Sequence, residues 1–265
     1  TKIFLLVVTL CVGALQSEAA FSQVSASVIS DIVMIPESCA IEPDLITIND
    51  LQNLGSHNSY KLFLPSPEFN LLEQHSKSQS LAIDYGHIAL SKQLDLGLRQ
   101  LELDIFYDPE GGLFTDPLLP KLTQDLKDSH RFESQNLALP GFKVLHTKDV
   151  DVHSNCKTWV QCLTEVSEWS FLNPEHLPIL IMFSAKEGGS SFPGASEALR
   201  FTEDAFLELE KETLSVLDIS QIITPDDVRG GLDSLRQAVL ERGWPPLNSS
   251  RGKFMFAVDE GPEKV

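Results

Sequence analysis

Short apolar runs alternate with amphipathic stretches along this chain. Residues 45–54, 98–106, 142–145, 177–183, 222–223 and 253–258 read as successive strands. The block 177–183 is almost wholly apolar, the pattern of a strand buried on both faces of a parallel sheet. Between the runs, Trp159, Leu163, Val166 and Trp169 recur at helical spacing, as do Phe206, Leu209, Leu214 and Leu217. The tryptophan stripe reads as core packing. Residues 232–242 read as a further helix, which Gly243 stops. Strands alternating with helices predict an α/β fold with a parallel sheet.

Polar residues with chemical potential fall at the C-terminal ends of these runs. His57 follows the first, Glu102 and Asp104 end the second, His146 follows the third, and Ser184 and Lys186 follow the fourth. In a TIM (β/α)8-type barrel, strand C-termini converge on one mouth and supply the catalytic groups. About six strands are visible, so the pattern predicts such a barrel truncated after the sixth, with its last strands beyond Val265. A barrel lacking strands exposes sheet edges, so the 265-residue piece alone is expected to be unstable or to aggregate.

In a strand, Glu102 and Asp104 point to one face. Two carboxylates side by side repel, and burying them unpaired is costly. With the Asn58 side-chain carbonyl they form an all-oxygen set, which suits calcium or magnesium better than zinc. His57 and His146 supply an acid–base pair of the kind phosphodiester cleavage needs. His75, His87, His130, His153 and His176 lack such placement and read as surface or loop residues.

Composition narrows the partners. Of 265 residues, 42% are hydrophobic and 22% charged, as in a globular domain. Net charge is −18, from 38 acidic and 20 basic residues. That field opposes nucleic acid and gives no general attraction to anionic membranes, so a phosphate-bearing substrate must be held by local cations or a metal. Lys2, the apolar stretch 3–15 and small residues at Ser17, Ala19 and Ala20 make residues 1–20 an expected signal peptide. The stretch is too short to span a bilayer comfortably. Residues 21–265 then form one barrel domain of a secreted protein, without a transmembrane segment and expected to be monomeric. Cys156 and Cys162 are placed to close a short loop, with free thiols as the alternative. Asn248-Ser249-Ser250 fits a glycosylation acceptor.

At these positions the chain resembles the calcium-dependent branch of the phosphoinositide-specific phospholipase C family. The resemblance is carried by Ser56-His57-Asn58-Ser59-Tyr60, Gln100-Leu101-Glu102-Leu103-Asp104-Ile105, Val144-Leu145-His146 and Pro178-Ile179-Leu180-Ile181. Cys156, Cys162, Trp169-Ser170, Asn173-Pro174, His176 and Thr224-Pro225-Asp226-Asp227-Val228 extend it. It implies a barrel that cleaves phosphatidylinositol-type lipids between glycerol and phosphate at a membrane surface. It also implies that Asn58, Glu102 and Asp104 hold Ca2+, that His57 and His146 are catalytic with His146 as general acid, and that Lys186 binds substrate. One position departs from the family pattern. Ser184 stands where a fourth acidic ligand is usual, two residues before Lys186. Either the loop brings Glu187 in, or calcium binds weakly, or activity is lost. Glycerophosphodiesterases also use Glu-x-Asp but favour His-Arg-Gly over His57-Asn58-Ser59. A binding protein on the same scaffold is the remaining alternative.

Overall fold

The computed structural model describes residues 46–129 and 131–260; the expected signal peptide, Cys39 and His130 lie outside the described residues. Five strands form one sheet: β1 (Gly55–Ser56), β2 (Gln100–Phe106), β3 (Lys143–Val144), β4 (Ile179–Ala185) and β5 (Phe254–Val258). Their spatial order is β1-β2-β4-β5, all parallel, with β3 antiparallel to the end of β2. The connecting helices are α1 (Ser66–His75), α2 (Lys77–Ala82), α3 (Leu90–Asp95), α4 (Leu118–Thr123) and α5 (Trp159–Leu172). After β4 come α6 (Glu203–Val216), α7 (Pro225–Arg229), α8 (Leu235–Arg242) and α9 (Leu247–Ser250). The result is an α/β fold: an open arc of a (β/α)8-type barrel whose end strands, β1 and β5, do not meet.

Four strand expectations need correction. Residues 46–54 are not a strand. Thr47 caps a 3-10 turn at Ile48–Asp50, its N–H donating to Asp50 Oδ2 at 2.8 Å, and the strand is confined to Gly55–Ser56. The run 142–145 is no barrel strand either. It folds back so that Val144 faces Ile105 and Lys143 faces Phe106 in antiparallel register. Finally, β4 is not buried on both faces. Ile179 and Ile181 are buried against the helices, whereas Leu180, Met182 and Ser184 face the half-open barrel interior. The pair 222–223 is reduced to one parallel bridge, Ile222 to Phe254.

The core lies between the sheet and α5–α6. Leu101, Leu103 and Ile105 of β2 and Ile179 and Ile181 of β4 pack on Trp159, Leu163, Val166 and Trp169 of α5, with Ala205 and Leu209 of α6. The tryptophan stripe is core, as the spacing predicts. Each indole N–H finds a partner, as buried indoles usually do: Trp159 donates to Thr213 Oγ1 at 2.9 Å and Trp169 to Asp95 Oδ1 at 2.8 Å. Thr158 caps α5, and a Cys156–Cys162 disulfide ties down the loop before it. His176 is no surface residue. It is buried, with Nδ1 2.6 Å from the Leu177 carbonyl and Nε2 2.8 Å from Ser170 Oγ. The Thr224–Val228 motif is a helix start, Thr224 and Asp227 capping α7 reciprocally. Gly243, at φ 79°, ends α8 as expected. Among the described residues no helix is long and apolar enough to cross a membrane.

Candidate active site

The candidate side chains gather where β1, β2 and β4 end. Gly55 pairs with Gln100 so closely that a Cβ on it would lie 2.7 Å from Gln100 Cβ, so glycine is required here. The register then carries His57 toward the level of Glu102. Ser59 locks the turn, its N–H donating to the Glu102 carbonyl at 2.9 Å while its Oγ accepts from the Glu102 N–H at 2.8 Å. Asn58 adopts φ 50°, a left-handed conformation that asparagine tolerates better than most residues. His57 Nδ1 lies 3.3 Å from the Tyr85 hydroxyl, which accepts from Asn58 Nδ2 at 2.7 Å and is thereby left to donate to the ring. His57 Nε2 is 3.7 Å from Glu102 Oε1. His87, read from sequence as uninvolved, donates from Nε2 to the His57 carbonyl at 2.9 Å.

Glu102 and Asp104 share the interior face of β2, as the alternation predicts, and both are buried. In register, Asp104 stands beside Ser184 of β4. Lys186 extends over the same face, its Nζ 3.4 Å from Asp104 Oδ2. The fully buried Tyr60 hydroxyl donates toward Asn58 Oδ1 at 3.4 Å. Burial pushes the Glu102 carboxyl up. His57 opposes this, while the charges of Asp104 and Asp259 reinforce it. Burial, together with Asp104 and Asp151, holds the Tyr60 phenol well above its usual range. Glu187 does not bend into the site. Its Oε1 accepts the Phe201 N–H at 2.7 Å, which disposes of one sequence alternative for the missing acid.

His146 follows the antiparallel β3 rather than a barrel strand, and so reaches the mouth from the rim. Its Nδ1 is 2.9 Å from Asp151 Oδ2. Asp151 is fully buried and also lies 3.3 Å from the equally buried Lys61 Nζ. Lys61 in turn donates to the carbonyls of Leu62, Ile83 and Tyr85. Lys61, Tyr85 and Asp151 carry no signal in the sequence, and Tyr60 enters only as the last residue of the His-Asn-Ser-Tyr element, without a role. Lys61 adjoins that element, but no periodicity marks Tyr85 or Asp151.

A hard cation fits the donors in type. Asn58 turns its amide nitrogen to Tyr85 and its oxygen toward Tyr60, and Glu102 and Asp104 share one face of β2. Among the described residues, however, no three His, Cys, Asp or Glu side chains form a ready metal cage.

The fold and this placement define a (β/α)-barrel protein with histidines and carboxylates gathered at the strand C-termini. More particularly, residues 46–265 match the family model described as phosphoinositide phospholipase C, Ca2+-dependent, and the chain belongs to that family. Among solved structures it is similar to a calcium-dependent phosphoinositol-specific phospholipase C from a Pseudomonas species, at 18% identity and a TM-score of 0.50. That match covers 84% of this chain and 61% of the other. A calcium-dependent phosphatidylinositol-specific phospholipase C from Streptomyces antibioticus is similar at 19% identity and a TM-score of 0.48, covering 80% and 53% respectively. The chain therefore spans less than two thirds of the length of these relatives. Comparison with curated proteins gives no match.

Proposed function

We propose that this protein is a calcium-dependent phosphodiesterase that cleaves phosphatidylinositol-type lipids between glycerol and phosphate. One observation supports the reading: His57 lies beside Glu102 on the side of the sheet that also carries Asn58 and Asp104, and Asp151, the partner of His146, is joined through Lys61 to the Tyr85 segment that contacts His57. Asn58, Glu102 and Asp104 would hold calcium, which when bound polarises a phosphoryl oxygen and offsets developing charge. The inositol 2-hydroxyl attacks phosphorus, the bond from phosphorus to the glycerol oxygen breaks, and a cyclic inositol phosphate and diacylglycerol leave. His57 takes the proton of the attacking hydroxyl or steadies the pentavalent phosphate. His146 gives a proton to the glycerol oxygen. Lys186 is a local cation for the phosphate-bearing headgroup, the role that a net charge of −18 leaves to individual side chains. The same reading makes residues 1–20 a signal peptide and the mature barrel a secreted monomer that works at a membrane surface. The Cys156–Cys162 bridge is consistent with that compartment.

Hydrolysis of phosphatidylinositol by the full-length protein, with calcium and with a chelator, tests this. We expect calcium-dependent release of inositol phosphate that His57→Ala reduces by roughly 100-fold or more. No release at any calcium level would favour a second reading, for which Ser184 beside Asp104 and the Lys186–Asp104 ion pair speak: a protein that binds phosphoinositide headgroups without turnover.

A further inference from the structure

We propose that Asp151 is the positioning residue of His146, and that Lys61 holds it in place while tying the same unit to the loop that contacts His57. This rests on the phosphodiesterase reading above and adds two residues to it.

The local backbone is shaped for the purpose. The Asp151 N–H donates to the Thr147 carbonyl at 2.9 Å, and the N–H groups of His146 and Thr147 return to the Asp151 carbonyl at 3.2 and 3.0 Å. Asp149, at φ 69°, closes the turn in a left-handed conformation, and its Oδ2 is fixed by the Ser196 N–H and hydroxyl at 2.7 and 2.6 Å. A five-residue loop thus brings Asp151 back beside the ring it follows in sequence. A carboxylate only accepts, so the 2.9 Å contact makes Nδ1 the donor and leaves Nε2 as the working nitrogen. His146 is 22% exposed, enough to meet a substrate at the rim, whereas Asp151 is sealed beneath it.

Lys61 does two things at once. Its ammonium offsets the buried Asp151 charge, which would otherwise be costly. It also donates to the Ile83 and Tyr85 carbonyls at 2.8 and 2.9 Å, fixing the segment whose Tyr85 hydroxyl reaches His57 Nδ1. One buried cation therefore holds the Asp151 carboxylate that meets His146 and the backbone of Tyr85, whose hydroxyl meets His57.

Two measurements on the full-length protein test this. In nitrogen-15 NMR spectra of the unaltered protein, His146 should show the Nδ1–H tautomer when neutral, a readout that does not depend on turnover. In Asp151→Asn the tautomer should invert or mix, because an amide can donate to Nδ1. On phosphatidylinositol, kcat of Asp151→Asn should fall by about 100-fold or more, with KM within about threefold, as expected for a lost orienting carboxylate. An Nε2–H tautomer in the unaltered protein would overturn the proposal. So would Asp151→Asn with unchanged tautomer and kcat. If the unaltered protein does not hydrolyse the lipid, the functional reading fails, and the proposal then stands or falls on the tautomer measurement.

Discussion

The two histidines are built into the molecule very differently. The His57 side chain is 70% exposed; it follows a two-residue strand and touches Tyr85 at 3.3 Å and Glu102 at 3.7 Å. His146 is 22% exposed and sits on a buried carboxylate, which a buried lysine backs in turn. The second is fixed by contacts beneath it, and the first is open to solvent over most of its ring. That division suits a reaction in which a proton must reach a leaving oxygen at a fixed point, while the attacking side adapts to a headgroup and a cation.

The sharpest way to break this contrast is to remove the lysine beneath His146 and compare it with a lysine that has no such role. Lys61–Asp151 and Lys143–Asp108 are both fully buried ion pairs at 3.3 Å. Removing one partner of such a pair leaves an uncompensated charge and costs about 3–5 kcal/mol. Lys61→Met and Lys143→Met should therefore both lower the melting temperature of the full-length protein, by something like 10 °C. Only Lys61→Met should also lower phosphatidylinositol turnover measured well below the melting point. Equal turnover in the two variants would remove Lys61 from the site. Next in size is Tyr85→Phe. It deletes the hydroxyl shared by Asn58 and His57 and leaves the buried Lys61 contact to the Tyr85 carbonyl intact. Turnover should fall roughly tenfold for a lost hydrogen bond of about 1.5 kcal/mol, with little change in stability. A larger loss than that of Asp151→Asn would invert the comparison.

What sequence reveals differs across the same divide. His57, Glu102, Asp104 and Lys186 were legible because a strand alternates and a parallel sheet aligns strand ends, and both regularities are local. Asp151 was not, because a tight loop closed by left-handed Asp149 joins it to His146 and leaves no periodic trace. Residues 142–145 look like any short barrel strand, and only tertiary pairing with Ile105 and Phe106 reverses their direction. His176 is a loop residue, one of the two readings the sequence allows, but that loop packs against Trp169 and Phe254 rather than lying on the surface.

A smaller effect concerns the cation side. The β4–β5 register ends with Phe183 opposite Val258, and the Asp259 N–H donates to the Phe183 carbonyl at 2.8 Å, so Asp259 follows beside Ser184. Ser184 is thus flanked by Asp104 on β2 and Asp259 beyond β5. Ligand charge tunes calcium affinity, so if the proposed calcium site is right, Asp259→Asn should weaken binding several-fold by calorimetry and Ser184→Glu should strengthen it. No change in either would leave the acid pair on β2 as the whole of the anionic set.

The smallest expected effect lies away from the mouth and shows what a histidine does when it is only structural. His176 is buried with both ring nitrogens engaged, and burial holds its pKa below the ordinary value of 6.5. The folded state thus disfavours the protonated ring, while the unfolded chain binds a proton near pH 6.5. Its contribution is fully present above that value and is lost as pH falls through 6.5 toward the lower folded value. Each pH unit between the two values is worth about 1.4 kcal/mol. Urea melts of the full-length protein and of His176→Gln should therefore differ most at pH 7.5, where the histidine is the more stabilising residue. The gap should narrow at pH 5.5. A gap that widens on acidification would mean that the folded protein prefers the charged ring, which the burial of the ring and the nearby Arg99 charge argue against, the Leu177 carbonyl opposing them only in part.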